Sequence, residues 1–110
     1  MTKSGDVGVV IVDAPEAERY EARIDERVVG FARYRRTGDR ILFHHTEVDP
    51  AVEGRGIGSR LAAGALDDAL ARGLRVIVGC PFIGAYLKRH QELARRVSLS
   101  RSLGGASETA

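Results

Sequence analysis

The chain of 110 residues has a single cysteine, Cys80, and no tryptophan. One cysteine excludes an internal disulfide, so the fold does not need an oxidising compartment. It also excludes a cysteine-rich zinc site, and the three histidines His44, His45 and His90 lack the spacing of structural zinc ligands. We therefore expect a fold that forms without a disulfide or a metal ion.

Long apolar runs are also missing. No stretch approaches the ~20 apolar residues of a membrane-spanning helix, and residues 1–8 lack the apolar segment of a signal peptide. The expectation is a cytoplasmic protein with no membrane partner. Aromatic residues reach only 5%, so Val, Ile, Leu and Ala must build the core. One domain of this length holds one core, which excludes separate cofactor and substrate domains.

Basic residues slightly outnumber acidic residues, which gives the chain a formal net charge of +2. From residue 88 onward five basic residues stand against two acidic ones, so the positive excess lies near the C-terminus. A solvated helix end explains such a run, and a phosphate-bearing ligand is the alternative. Nucleic acid is not favoured as a partner, because the sequence lacks the aromatic strand motifs of RNA-binding sheets.

The first half of the sequence has the patterns of strands. Apolar runs and alternating residues, separated by turn signals, predict an antiparallel meander. Its strands are expected at 7–12, 19–24, 28–36 and 40–48.

The second half changes its period. Apolar residues recur every four positions from Ile57 to Ala69, which predicts a helix ended by Gly73. A fifth strand at 74–78 and a helix at 82–90 follow. The predicted fold class is α+β, a mixed sheet with helices packed on it, in the order β-β-β-β-α-β-α. The helical crossover requires the last two strands to be parallel.

Domain organisation is simple, because no linker or repeat divides the chain. We expect a single domain over residues 1–97. The tail at 98–110 is rich in serine and glycine, and we expect it to be mobile because it can bury little surface.

The segment EGRGIGS, residues 53–59, follows a strand and opens a helix. Its glycines permit positive φ and close approach of the backbone to a ligand. The first N–H groups of a helix have no internal partner and, with the helix dipole, suit an anion such as a pyrophosphate. A plain strand-to-helix turn is the alternative. No lysine followed by serine or threonine completes a Walker A loop, and the preceding meander does not suit a Rossmann site.

This segment and its surroundings resemble the acetyl-CoA-binding motif of the GNAT acyltransferase superfamily. The resemblance covers about residues 7–97 and rests on EVDPAVEGRGIGSRL (47–61), CPF (80–82) and YLKRH (86–90). Within the superfamily it is similar to a small group of YjdJ-like, N-acetyltransferase domain-containing proteins. Two departures stand out. Glu53 replaces the usual Arg or Gln, and there is little sequence for the N-terminal helices that cover the acceptor site.

The resemblance implies how acetyl-CoA is held, with no metal. The backbone of Val48 would pair with the pantetheine arm between the fourth and fifth strands. Lys88, Arg89 and His90, at the end of the last helix, would meet the CoA phosphates, with a solvated helix end as the alternative. The backbone N–H groups that would hold the pyrophosphate belong to Arg55, Gly56, Ile57, Gly58 and Ser59.

The resemblance also implies catalytic candidates. Tyr86 would protonate the leaving thiolate as general acid. Glu47 or His45, which share a face of the fourth strand, would act as general base, or else form a structural polar pair. Cys80 lies near the expected thioester, and its alternatives are a buried structural residue, a wall of the site or a nucleophile.

The function implied is N-acetyl transfer from acetyl-CoA to an unidentified amine, by direct transfer rather than through Cys80. Without covering helices the acceptor groove would be open, which suits a peptide or protein acceptor. The alternative is a non-catalytic acyl-CoA-binding module, such as a sensor or partner subunit.

Overall fold

Five strands form one mixed sheet in the computed structural model, which describes residues 8–109 and side chains as far as Arg101. The strands follow each other in the sheet as in the chain, and only β4 and β5 are parallel. The α+β class, the meander and the parallel crossover are therefore confirmed. The strands are β1 (Val10–Ala14), β2 (Arg19–Ile24), β3 (Arg27–Thr37), β4 (Arg40–Val48) and β5 (Arg75–Val78).

The first strand departs from its predicted bounds of 7–12. β1 begins at Val10 and runs on to Ala14, and residue 7 lies outside the described residues. Asp13 remains in the strand because it pairs in register with Tyr20, and its carboxylate accepts a hydrogen bond from the Tyr34 hydroxyl at 2.6 Å. These partners therefore keep Asp13 in the strand, although the sequence predicted that the strand ends at residue 12.

Three helices accompany the sheet: α1 (Ile57–Ala71), α2 (Pro81–Lys88) and α3 (Gln91–Thr109). The period-four stripe of α1 is buried as predicted, and Gly73 follows the helix with a φ of 77°. α1 contacts all five strands, and the three helices also contact one another. The buried core includes Tyr20, Ala32, Phe43, Leu61, Leu66, Val76 and Ile83.

The third helix corrects the predicted order, which had one continuous helix at 82–90 and nothing after it. α2 ends at Lys88, and α3 begins at Gln91. The backbone N–H of Val76 in β5 donates to Ser100 Oγ at 3.1 Å, so α3 covers the outer edge of the sheet. The domain boundary expected at residue 97 therefore falls inside α3. The mobility expected for 98–110 stays a prediction.

The other face of the sheet carries charged side chains. A bulge in β4 places Phe43 opposite Tyr34 and His45 opposite Arg33, which leaves His44 without a counterpart on β3. Phe43 therefore faces the helices, whereas His45 faces the other side. Among the described residues, no helix packs on this second face beside His45, so this part of the sheet is exposed.

Candidate functional site

The gap between β4 and β5 is the first element of the site. The two strands pair only from Arg40 to Phe43 on β4, opposite Arg75 to Val78 on β5. The Gly79 N–H then donates to the Phe43 carbonyl at 2.8 Å, and the chains separate. β4 continues to Val48 without β5 beside it. Its backbone groups on this side are available to an extended ligand.

The glycine-rich loop closes one end of this gap. Asp49 begins a short 3-10 turn, Pro50–Val52, and its carboxylate accepts a hydrogen bond from Ala51 N–H at 3.0 Å. Gly56 then precedes α1 with a φ of 75°, a conformation that favours glycine. The first N–H groups of a helix have no partner within the helix. In the described part of the chain, no side chain caps α1 to supply one instead.

A cleft of about 400 Å³ lies at this loop. The structure brings together there five predicted cofactor-binding positions: Val48, Gly56, Ile57, Gly58 and Ser59. Two predicted positions are placed differently. Arg55 and Lys88 are exposed, and neither lines the cleft.

Two residues of the lining were not predicted, Glu53 as a lining group and Phe82, whereas Arg89 was one of the three basic residues expected at the CoA phosphates. Phe82 and Arg89 are seven positions apart, two turns of helix, so they share a face of α2 and its C-terminal cap. Lys88 projects about 100° away from that face. Of the three basic residues expected at the CoA phosphates, Arg89 is therefore the one that lines the cleft, and its spacing from Phe82 is the signal that distinguishes it. The Glu53 carboxylate opposes this charge.

Phe82 ties α2 to the loop. A Cβ on Gly58 would lie 2.5 Å from Phe82 Cζ, so a side chain at position 58 would displace this ring from the first turn of α1. Phe82 is nevertheless 40% exposed. Its ring therefore forms a wall of the cleft rather than part of the core.

Cys80 is buried at the start of α2, with 4% of its surface exposed. Its Sγ–H donates to Thr46 Oγ1 at 3.3 Å, which links α2 to the unpaired end of β4. The residue is near the β4–β5 gap, but it does not line the cleft at the glycine-rich loop, and its closeness to a thioester stays a prediction. This environment resembles that of a structural thiol.

Tyr86 lies away from the same cleft. Its ring stacks on His90, with centroids 4.0 Å apart, and the His90 Nδ1 lies 2.8 Å from the Tyr86 carbonyl. Tyr86 lines a different cavity of about 620 Å³, together with Ala63 of α1 and Arg96 of α3. The general acid role of Tyr86 stays a prediction.

His45 and Glu47 lie side by side, as their spacing predicted. His45 Nε2 is 2.8 Å from Glu47 Oε2, and both side chains are exposed. The Phe31 ring lies 6.3 Å from the His45 ring on the neighbouring strand. His45 is the one hydrogen-bonding partner that the described residues give the Glu47 carboxylate. The two side chains therefore form a hydrogen-bonded pair at the surface of the sheet.

An ion-paired cluster borders this pair. Glu21 is 5% exposed, and its carboxylate accepts hydrogen bonds from Arg19 at 2.7 Å and from Arg23 at 2.6 Å. Burial alone would raise the pKa of Glu21, but the bonds from Arg23 and Arg19 outweigh it and lower the pKa. Glu21 therefore stays ionised at neutral pH and keeps both arginines committed.

Neither a metal cluster nor a membrane span is found in the part of the chain that the structure describes. No three of its His, Cys, Asp or Glu residues come together as metal ligands would. None of its helices is long and apolar enough to cross a membrane.

Known proteins resemble this chain in fold and in sequence. The chain resembles the solution NMR structure of a "GCN5-like putative N-acetyltransferase" from Staphylococcus aureus, with 19% identity, a TM-score of 0.59, and coverage of 79% of this chain and 85% of that one. None of the curated proteins matches the chain. The sequence model of the GCN5-related N-acetyl-transferase family matches residues 19–97, which include β2 to β5, the glycine-rich loop, α1 and α2. The chain therefore belongs to the GCN5-related N-acetyltransferase (GNAT) family.

Proposed function

We propose that this protein transfers an acetyl group from acetyl-CoA to a primary amine. The observation that carries the proposal is the cleft formed by the glycine-rich loop, beside the point where β4 and β5 separate. Its free helix N–H groups and Arg89 suit the pyrophosphate of CoA. The unpaired backbone of β4 up to Val48 suits the amides of the pantetheine arm. Family membership supports acyl transfer in general.

The reaction is proposed as direct transfer. The amine nitrogen attacks the thioester carbonyl, the C–N bond forms and the C–S bond breaks, and the sulfur leaves with the bonding electron pair. One proton leaves the amine nitrogen, and one proton goes to the sulfur. Glu47 is our candidate for receiving the first, with His45 at 2.8 Å holding the carboxylate. Tyr86 remains the predicted donor of the second.

Calorimetric titration with acetyl-CoA, and then with CoA, tests the proposal. Both should bind, and purified protein should then acetylate a primary amine. Failure of both to bind would refute the proposed function. Binding without turnover across a broad amine panel would favour the non-catalytic acyl-CoA-binding alternative.

Two neighbouring basic residues give this titration a matched pair of variants. Arg89→Ala should weaken CoA binding about tenfold, since a charge-assisted bond to phosphate contributes ~1.5 kcal/mol or more. Lys88→Ala should change it less than about twofold, because Lys88 does not line the cleft. At higher salt, the difference in CoA affinity between Arg89→Ala and Lys88→Ala should become smaller, because salt screens the charge. A larger effect from Lys88→Ala would mean that the phosphates lie elsewhere.

The route through Cys80 has its own test. Cys80→Ala should keep kcat within about threefold, because the thiol is buried and donates to Thr46 rather than facing the cleft. Removing a catalytic nucleophile would instead cost orders of magnitude in kcat. Thr46→Val is the control, since it removes the same hydrogen bond and leaves the thiol in place. A loss confined to Cys80→Ala, with acetyl label found on the protein, would establish the covalent route.

A further inference from the structure

A further pocket adjoins the cleft at the glycine-rich loop. It has a volume of about 250 Å³ and lies where the end of β4 meets the start of β3. Val48 lines both this pocket and the cleft at the glycine-rich loop. We refer to it as the β3–β4 pocket; its lining comprises Arg19, Val28, Val29, Gly30, Phe31, Glu47, Val48, Asp49 and Pro50.

The lining of the β3–β4 pocket combines apolar and acidic residues. Val28, Phe31 and Pro50 contribute hydrophobic surface, whereas Glu47 and Asp49 contribute two carboxylates. Such a combination is suited to a cation carried on an apolar stem, because the stem replaces water and the carboxylates keep the charge paired.

The basic residue in the lining does not offset the carboxylates. The Arg19 guanidinium is bonded to the buried Glu21 carboxylate at 2.7 Å, and it lies 4.6 Å from the Phe31 ring centroid. Arg33 also lies over Phe31, at 5.1 Å, but outside the lining. An anionic group inside the pocket would therefore face Glu47 and Asp49 with no uncommitted cation in the lining.

The size of the pocket limits its occupant. A volume of about 250 Å³ equals on the order of eight water molecules at ~30 Å³ each. This space admits an unbranched alkylamine. Gly30 lets β3 lie close to β4 beside the pocket, since a Cβ there would lie 3.1 Å from the Glu47 carbonyl oxygen.

We infer that the β3–β4 pocket is the acceptor subsite and that it takes a primary aliphatic amine on an unbranched apolar stem. The inference rests on the proposed function, because it places this amine beside the acetyl donor through the wall that the two cavities share at Val48. Both a lysine side chain and a free alkyl diamine carry this chemistry. An amine with a carboxylate on the adjacent carbon would be repelled by Glu47 and Asp49.

The first experiment measures binding without turnover. Methyl NMR spectra of the protein saturated with CoA are recorded during titration with Nα-acetyl-lysine methylamide, whose side-chain amine is free, with 1,5-diaminopentane and with glycine. The first two probes should shift the methyl signals of Val28 and Val48, whereas glycine should not. Shifts at Ala63 and Leu93, in the cavity between the helices, or equal shifts with glycine, would overturn the inference. A stronger shift with one amine probe identifies its source, a protein side chain or a free amine.

The second experiment narrows the pocket. Val28→Trp should raise KM for the preferred amine roughly tenfold by overpacking, while the Kd of acetyl-CoA stays within about twofold. Val10→Trp is the matched control, because Val10 is an exposed valine on β1, outside the pocket. Equal KM for the two variants would refute the subsite. Failure of the proposed function is distinguishable, since acetyl-CoA would then not bind even to the unaltered protein.

Discussion

Replacing Glu47 with glutamine is expected to lower kcat by about 100-fold, the usual contribution of a positioned general base. Glutamine keeps the shape of the side chain but cannot accept the proton. Glu47 lines the β3–β4 pocket beside Val48, whereas His45 does not line it. The carboxylate is thus the group of this pair that an amine in that pocket would meet. Steady-state kinetics with a saturating amine measure the loss.

His45→Gln is the matched control for this prediction. His45 contacts Glu47 at 2.8 Å, so its removal should cost about tenfold in kcat by leaving the carboxylate less well held. The Kd of acetyl-CoA should stay unchanged in both variants, because neither residue lines the cleft at the glycine-rich loop. A large loss with His45→Gln and none with Glu47→Gln would assign the base to the imidazole.

The glycine-rich loop and its helix were predictable because their signals are local. The glycines of EGRGIGS fall where the backbone needs positive φ, at Gly54 and Gly56. The period-four apolar stripe of α1 is a strong sequence signal, because this helix packs against all five strands and buries the stripe there. Five of the seven predicted cofactor-binding positions accordingly lie together.

The third helix was not predictable from such signals. The apolar stripe of α3 is thin, with Val97 buried and Leu93 and Ala94 partly buried, while Arg95, Arg96 and Arg101 are exposed. Its position depends on β5, whose outer edge needs a cover. Ser100, which looked like part of a polar tail, contributes the hydrogen bond to that edge. Its role exists only in the folded chain.

The acceptor side of the site also depends on tertiary structure. Strict alternation along β4 would place Phe43, His45 and Glu47 on one face. The bulge at His44 separates Phe43 from the other two, so that one strand serves the core and the site. No turn residue or glycine in the segment announces this bulge. Which of Lys88 and Arg89 lines the cleft likewise depends on how α2 is oriented against the glycine-rich loop.

Phe43→Ala should lower the free energy of unfolding by about 3–5 kcal/mol, a large share of the ~5–15 kcal/mol available to a small domain. The Phe43 side chain is fully buried, with its ring centroid 6.0 Å from that of Tyr20 and 6.2 Å from that of Tyr34. Chemical denaturation followed by circular dichroism measures the loss. Phe82→Ala is the control of equal chemistry, and its 40% exposure predicts a loss below about 1 kcal/mol.

The two phenylalanine variants should also separate stability from binding. Phe43 is the last β4 residue that pairs with β5, and its carbonyl accepts the Gly79 N–H at the start of the gap. Losing its ring should therefore loosen the whole sheet, and native-state hydrogen exchange should accelerate in β3, β4 and β5 together. Phe82→Ala should leave this exchange unchanged and weaken CoA binding, because it removes a wall of the cleft. Equal losses of stability in the two variants would contradict the division between core and cleft, since that division depends on the bulge that turns Phe43 inward.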